Sequence, residues 1–303
     1  MQKDARQNQY DMVYDKLGRI TTKTGPEGAT SYEYYTSGNG KTLLKKVTGP
    51  NGMYELYTYD DFGRVISKNE YIENGQSFTT SYEYDGFGRT SKITYPNNFE
   101  VNQIYNNYGY LSEVRNAADN SLIWKGKTMN AANQWTEYEL GQGLLKTTKT
   151  YNNYGYISSI KTNKIGASSF IQCLSYGFNL ATGNLNWRID HMHIYDDDPL
   201  TETFTYDGLN RLISINNPHG KINMDYNNEK DGNLVYKTDI GYMNYTSTKP
   251  HAITQVDNDN GLIPTINQTI TYTPFNKVNN IEEPYPVKVN IDYGPSQTRK
   301  KTT

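Results

Sequence analysis

One short pattern recurs along almost the whole chain, and it limits the possible folds more than any other feature. It runs Tyr14-Asp15-Lys16-Leu17-Gly18-Arg19-Ile20, then Tyr59-Asp60-Asp61-Phe62-Gly63-Arg64-Val65, then Tyr84-Asp85-Gly86-Phe87-Gly88-Arg89. Looser copies start at Tyr105 (with Gly109), Tyr151 (with Gly155), Tyr206 (with Asn210 and Arg211) and Tyr272 (with Asn276). Degenerate copies begin at Tyr35, Tyr176, Tyr226 and Tyr293, and residues 129–135 keep the shape without the tyrosine. Tyr14 and Tyr293 are 279 residues apart. Twelve intervals then give a period of about 23, the length of one supersecondary unit per repeat. The expectation is a single repeat region over 1–303, with about 12 units between Tyr14 and Thr303.

A single unit can be read from residues 203–215. Thr203-Phe204-Thr205-Tyr206 is β-branched and aromatic, which suits a strand, with Phe204 and Tyr206 on one face. Asp207-Gly208-Leu209-Asn210 carries turn chemistry, and Leu212-Ile213-Ser214-Ile215 resumes strand character. The fifth motif position is Gly18, Gly63, Gly88, Gly109 and Gly155, but Asn210 and Asn276 elsewhere. Gly and Asn are the residues that tolerate positive φ, so the repeat reads as a β-hairpin with a four- or five-residue turn. No segment carries apolar residues at helical spacing between caps, so the chain is expected to be all-β.

A lone hairpin is marginal in water, so neighbouring hairpins must pair into a continuous antiparallel sheet. Only 35% of the 303 residues are hydrophobic, too few for a thick solid sandwich of this length. The 29 tyrosines supply what the aliphatics lack, since each can bury a ring while its hydroxyl reaches water or a backbone partner. A long sheet curling around a wide, water-accessible interior, stabilised by cross-strand aromatic pairs, fits this composition.

Composition also removes several function classes. Apolar runs stop at three residues, as at Leu122-Ile123-Trp124, so no apolar segment could span a membrane. Residues 1–6 lead into no apolar stretch, so no secretory leader is read there. A net charge of −2 gives no broad attraction for nucleic acid. The one cysteine, Cys173, allows no internal disulfide and reads as a small buried side chain.

The Tyr-Asp-x-x-Gly-Arg copies at 14, 59 and 84, with their period, resemble the YD repeats of Rhs proteins. That family includes bacterial Rhs polymorphic toxins, the C component of Tc toxins and the teneurins. Residues 249–256 and 270–278 also resemble stretches near the C-terminal part of the repeats in bacterial members. The resemblance implies a spiralling β-sheet forming a hollow shell, non-enzymatic, secreted or at the cell surface. In bacterial members that shell encloses a C-terminal toxin domain; in teneurin-like members it serves adhesion. The implied partners are the rest of the shell polypeptide and the toxin. The family's terminal Asp-Pro-x-Gly-Arg-like core motif is missing: the only Asp-Pro, Asp198-Pro199, is followed by Leu200. No length remains for a toxin domain, so either an isolated stretch of a longer polypeptide or a truncated relative is expected.

The repeat anchors are therefore the residues of interest: Tyr14, Gly18, Arg19, Tyr59, Gly63, Arg64, Tyr84, Gly88, Arg89, Tyr105, Gly109, Tyr151, Gly155, Tyr206, Asn210, Arg211, Tyr272 and Asn276. Catalytic pairs are built once, whereas Asp15, Asp60, Asp85 and Asp207 recur as turn residues do. Their arginines read as cross-strand partners for these acids. Two readings from other classes rest on specific side chains. Trp124, Trp135 and Trp187 could stack on sugar faces in a carbohydrate-binding or adhesion module. His191 and His193, spaced to share a strand face beside acidic residues 196–198, could ligate zinc and support a hydrolase. No cofactor is implied otherwise. Asn244-Tyr245-Thr246 and Asn267-Gln268-Thr269 match glycosylation sequons.

Overall fold

The chain is described by a computed structural model that covers residues 1–4, 7–195, 197–227, 231–246, 250–258, 261, 269–284 and 287–303. Asp196, Lys249 and the sequon residues Asn267 and Gln268 lie outside the described residues. Among those described there are 27 strands and no helix, so the chain is all-β. The 23 strands from Gln2–Lys3 to Gln255–Asp257 belong to one sheet, and the four from Thr269–Tyr272 to Arg299–Thr302 to a second. Pairing is antiparallel between sequence neighbours, for example Tyr54–Tyr59 with Val65–Glu73 and Val65–Glu73 with Gln76–Tyr84. The repeat motif predicts this meander, because each copy encodes one reversal and each reversal places two strands side by side.

Two compact units are present. One comprises Met1–Gln103, Asn116–Asp119 and Ile266–Thr303; the other comprises Ile104–Arg115 and Asn120–Thr265. The first buries Val47, Met53, Ile72, Val101 and Ile291, together with Glu55. The second buries Cys173, Met224 and Met243, and also the Thr147–Thr162 hydroxyl pair at 2.9 Å. Neither apolar core is thick. Strand-to-strand contacts and half-buried rings therefore carry the cohesion that aliphatic packing supplies elsewhere.

Three of the other hairpin ends close without an acid–arginine pair. Asn74 and Gly75, both at positive φ, join Glu73 to Gln76 in a two-residue turn of the kind that matches strand twist. Gly49-Pro50-Asn51-Gly52 and Tyr95-Pro96-Asn97-Asn98 form four-residue turns with Pro second and a positive-φ residue last.

Candidate functional site: the joints between repeats

The motif builds its turn from backbone upward. In the first copy Asp15 N–H donates to the Arg19 carbonyl at 2.9 Å and Gly18 N–H to the Asp15 carbonyl at 3.0 Å. Gly18 lies at φ +75°, so a type I turn ends in a left-handed residue and the loop between Asp15 and Arg19 is three residues long. The same two bonds recur at 60–64, 85–89, 106–110, 130–134, 152–156, 207–211, 273–277 and 294–298. Thr273 stands in for the acid in one of these, Asn130 and Asn152 in others.

The acid does two jobs with its two oxygens. Asp207 Oδ1 accepts the backbone N–H groups of Leu209 and Arg211 at 2.9 Å each. Oδ2 accepts the Arg211 guanidinium, with Nε at 2.7 Å and Nη2 at 2.6 Å. Asp15, Asp60 and Asp85 repeat this arrangement with Arg19, Arg64 and Arg89. Each acid thus meets its arginine within one turn. The Arg211 backbone N–H, aided by its guanidinium and the Leu209 N–H, holds the Asp207 carboxyl below the usual carboxylate range.

The tyrosine and arginine then reach into the neighbouring repeat. Tyr59 Oη donates to the Leu44 carbonyl at 2.7 Å, Tyr84 to Val65 at 2.7 Å, Tyr206 to Leu185 at 2.9 Å, Tyr226 to Leu212 at 2.9 Å and Tyr293 to Val278 at 2.6 Å. Val65, Leu212 and Val278 are each the seventh residue of the preceding copy. Tyr151 donates to Trp135, the seventh residue of the copy at 129–135. The preceding copy's guanidinium lies over the same ring: Arg19 over Tyr34 at 4.2 Å, Arg64 over Tyr84 at 4.4 Å and Arg211 over Tyr226 at 4.4 Å. The joints at Tyr34, Tyr84 and Tyr226 therefore combine a hydrogen bond to backbone with a cation held against the ring that makes it.

Two degenerate copies start elsewhere than the sequence suggests. Tyr34, not Tyr35, lies under Arg19 and donates to the Ile20 carbonyl at 2.8 Å, while Tyr35 donates to the Tyr57 carbonyl. The turn closed by Asn179 follows Phe178, not Tyr176, and the Phe178 ring stacks on Tyr156 at 5.2 Å. Tyr14, the first anchor, is 55% exposed, and its hydroxyl donates to Met12 Sδ. Tyr105 and Tyr272 each precede one of these turns.

Sequence reasoning missed a third element of the joint. The residue before the tyrosine pairs its hydroxyl with one across the hairpin: Thr58 with Ser67 at 2.7 Å, Thr150 with Ser159 at 2.7 Å and Thr205 with Ser214 at 2.6 Å. A Thr before the Tyr and a Ser eight residues after it is the signal that could have found these pairs.

The other candidates sit apart. Trp124 and Trp135 meet edge to face at 5.1 Å and cover Gly126; Trp187 lies over Gly177, its partner across the strands, and is 37% exposed. His191 and His193 fall in a stretch where the register shifts between Asp190 and Ile194. His191 Nε2 is 2.9 Å from Ser175 Oγ. Among the described residues no group of three or more His, Cys, Asp or Glu could hold a metal ion, and no helix is long and apolar enough to cross a membrane.

No family profile matches the chain, and no curated protein matches it in sequence. Solved structures do. The chain is similar to a crystal structure of TcdB2–TccC3 with Cdc42, at a TM-score of 0.64 and 16% identity over 96% of this chain and 19% of that one. A structure of TcdB2–TccC3 gives 0.65 and 15% over 96% and 20%. One without the hypervariable C-terminal region gives 0.63 and 16% over 96% and 19%. The chain spans about a fifth of the length of the chains it matches. At these identities the likeness shows the fold, which is the all-β sheet of Rhs/YD-repeat proteins.

Proposed function

We propose that this chain is a non-enzymatic structural stretch of an Rhs-type shell that encloses or presents a C-terminal toxin domain, secreted or at the cell surface within a larger polypeptide. The observation that carries the reading is the uniformity of the joints. The acid and arginine at 15–19, 60–64, 85–89 and 207–211 close their own turns, while Tyr59, Tyr84, Tyr206, Tyr226 and Tyr293 each bond to the backbone of the repeat before, which is what an extended wall needs. The fold's likeness to TcdB2–TccC3, a protein with a hypervariable C-terminal region, supports it. The carbohydrate reading has no observation in its favour, because Trp124 and Trp135 pack on each other and all three indoles cover glycines.

The natural full-length product provides the test. Its C-terminal segment should resist protease while the repeats are folded, and should be cleaved once Tyr59→Ala and Tyr84→Ala loosen two joints. A segment digested equally fast in both proteins overturns enclosure, as does a natural product that ends with the repeats.

A further inference from the structure

Within the first unit, the last hairpin is fastened to strands more than 220 residues earlier by charges rather than by ladder hydrogen bonds. Glu55, on the strand Tyr54–Tyr59, is only 3% exposed and has four partners. Two are local: Tyr57 Oη donates at 2.7 Å, and Lys68 Nζ lies at 3.4 Å. Two come from the far end of the chain: Ser296 Oγ donates at 3.1 Å, and Lys300 Nζ lies at 3.4 Å. Lys300 also pairs with Glu70, which Lys68 holds from the other side at 2.9 Å. Lys301 pairs with Glu73, and Asn51 Nδ2 donates to the Tyr293 carbonyl at 2.9 Å. Glu55, Lys68, Glu70 and Lys300 thus form a closed ring of alternating sign. Without the hairpin the ring would hold two acids and one base, one of those acids buried, which is costly.

We infer that the hairpin formed by Lys288–Tyr293 and Arg299–Thr302, laddered to Val278–Glu282 in its own four-stranded sheet, is a charge-keyed strap, seated by Lys300 and Lys301 on Glu55, Glu70 and Glu73 and released from those earlier strands when Glu55 and Glu70 are protonated. The inference is independent of the shell reading. Burial pushes Glu55 and Glu70 upward, but Tyr57, Lys68, Lys300 and Ser296 for the first, and Lys300 and Lys68 for the second, outweigh it. Both therefore lie below the usual carboxylate range. The sign follows from linkage: groups depressed in the folded state stabilise it above their free values, and that support disappears as pH falls through the lowered ones. The strap stays seated through mild acid and lifts only below the ordinary carboxylate range.

Amide hydrogen exchange on the full chain tests this. Lys300→Gln should speed exchange across 288–302 roughly tenfold or more at pH 7, because it leaves buried Glu55 and Glu70 sharing the single cation of Lys68. Strands Leu145–Tyr151 and Ile157–Lys164, in the other unit, should be unchanged. Lys301→Glu, which sets two acids together, should also speed exchange there, and adding Glu73→Lys, which restores that pair with reversed sign, should recover most of the protection. In the unaltered protein, protection factors over 288–302 should hold at pH 5 and fall in stronger acid before those of the second unit. Unchanged exchange in Lys300→Gln overturns the key. Loss of protection throughout the first unit overturns the strap as a separable element, and so does a swap that fails to recover it.

Discussion

The Tyr84 hydroxyl donates to the Val65 carbonyl at 2.7 Å, fastening the first residue of one motif to the last of the motif before it. Arg64, from that earlier motif, covers the same ring at 4.4 Å while its other face of hydrogen bonding is occupied by Asp60. Local turn chemistry and inter-repeat cohesion are thus the same side chains used twice. Stability in such an array is a sum over nearest-neighbour joints, so each joint can be probed alone.

Tyr206 offers the cleanest probe, because ring and hydroxyl can be removed separately. Tyr206→Phe should cost about 1 kcal/mol, the net worth of a hydrogen bond to backbone. Tyr206→Ala should cost about 3 kcal/mol, at the lower end for aromatic truncation because the ring is half-buried. Urea titration of both variants separates the two. Losses near zero for both would mean that the ring idles on the surface and the joint does not carry the sheet.

The turn makes its own prediction. Gly18 sits at φ +75°, and a Cβ there would meet nothing within 4 Å, so Gly18→Ala isolates backbone strain, about 1 kcal/mol. Asn210 occupies the equivalent place at φ +61° and its Oδ1 accepts from Asn184 Nδ2 at 2.9 Å, so Asn210→Gly trades backbone relief against an exposed hydrogen bond and should change stability by less than about 0.5 kcal/mol. Thermal melts check both. A neutral Gly18→Ala would show that the loop relaxes to another turn type.

Sequence made the turn fully legible, because Asp-x-x-Gly-Arg encodes its acceptor, its left-handed residue and its ion pair within five positions. The tyrosine's role was only half legible. Its ring could be read as a cross-strand packer, but the Val65 carbonyl that receives Tyr84 is set by the register between the paired strands Val65–Glu73 and Gln76–Tyr84. The same limit hid Tyr34 behind its neighbour Tyr35, since both are aromatic and only pairing decides which faces Arg19. Glu55 and Lys300 lie beyond any local pattern: no periodicity links residues on opposite ends of the chain. The Gly49-Pro50-Asn51-Gly52 turn, by contrast, carried a readable proline and glycine.

Acid should act on the turns in a defined direction. Asp207 is held below its ordinary value chiefly by the Arg211 backbone N–H, so its contribution to folding is complete above the free carboxylate value. That contribution is lost as pH falls through the lowered one. Asp207→Asn keeps the acceptor for the Leu209 and Arg211 N–H groups and loses the ion pair; Asp207→Ala loses both. The alanine variant should melt lowest, and the asparagine variant should show less acid sensitivity than the unaltered chain. A carboxyl NMR titration that places Asp207 at or above an ordinary aspartate would refute the ion pair.

The indoles give the last prediction, since they separate packing from ligand binding. Gly177 lies directly across from Trp187, and a Cβ on it would fall 2.1 Å from the indole Nε1. Gly177→Ala must therefore swing Trp187 off the sheet, costing about 1–3 kcal/mol as overpacking does and moving the ring toward water. Tryptophan emission should shift to the red, with the edge-to-face pair of Trp124 and Trp135 contributing a constant background. Gly86→Ala is the control, because a Cβ there meets open space, and it should change neither emission nor stability. Unchanged emission in Gly177→Ala would mean that the indole does not rest on the glycine, leaving the ring free to meet a sugar face.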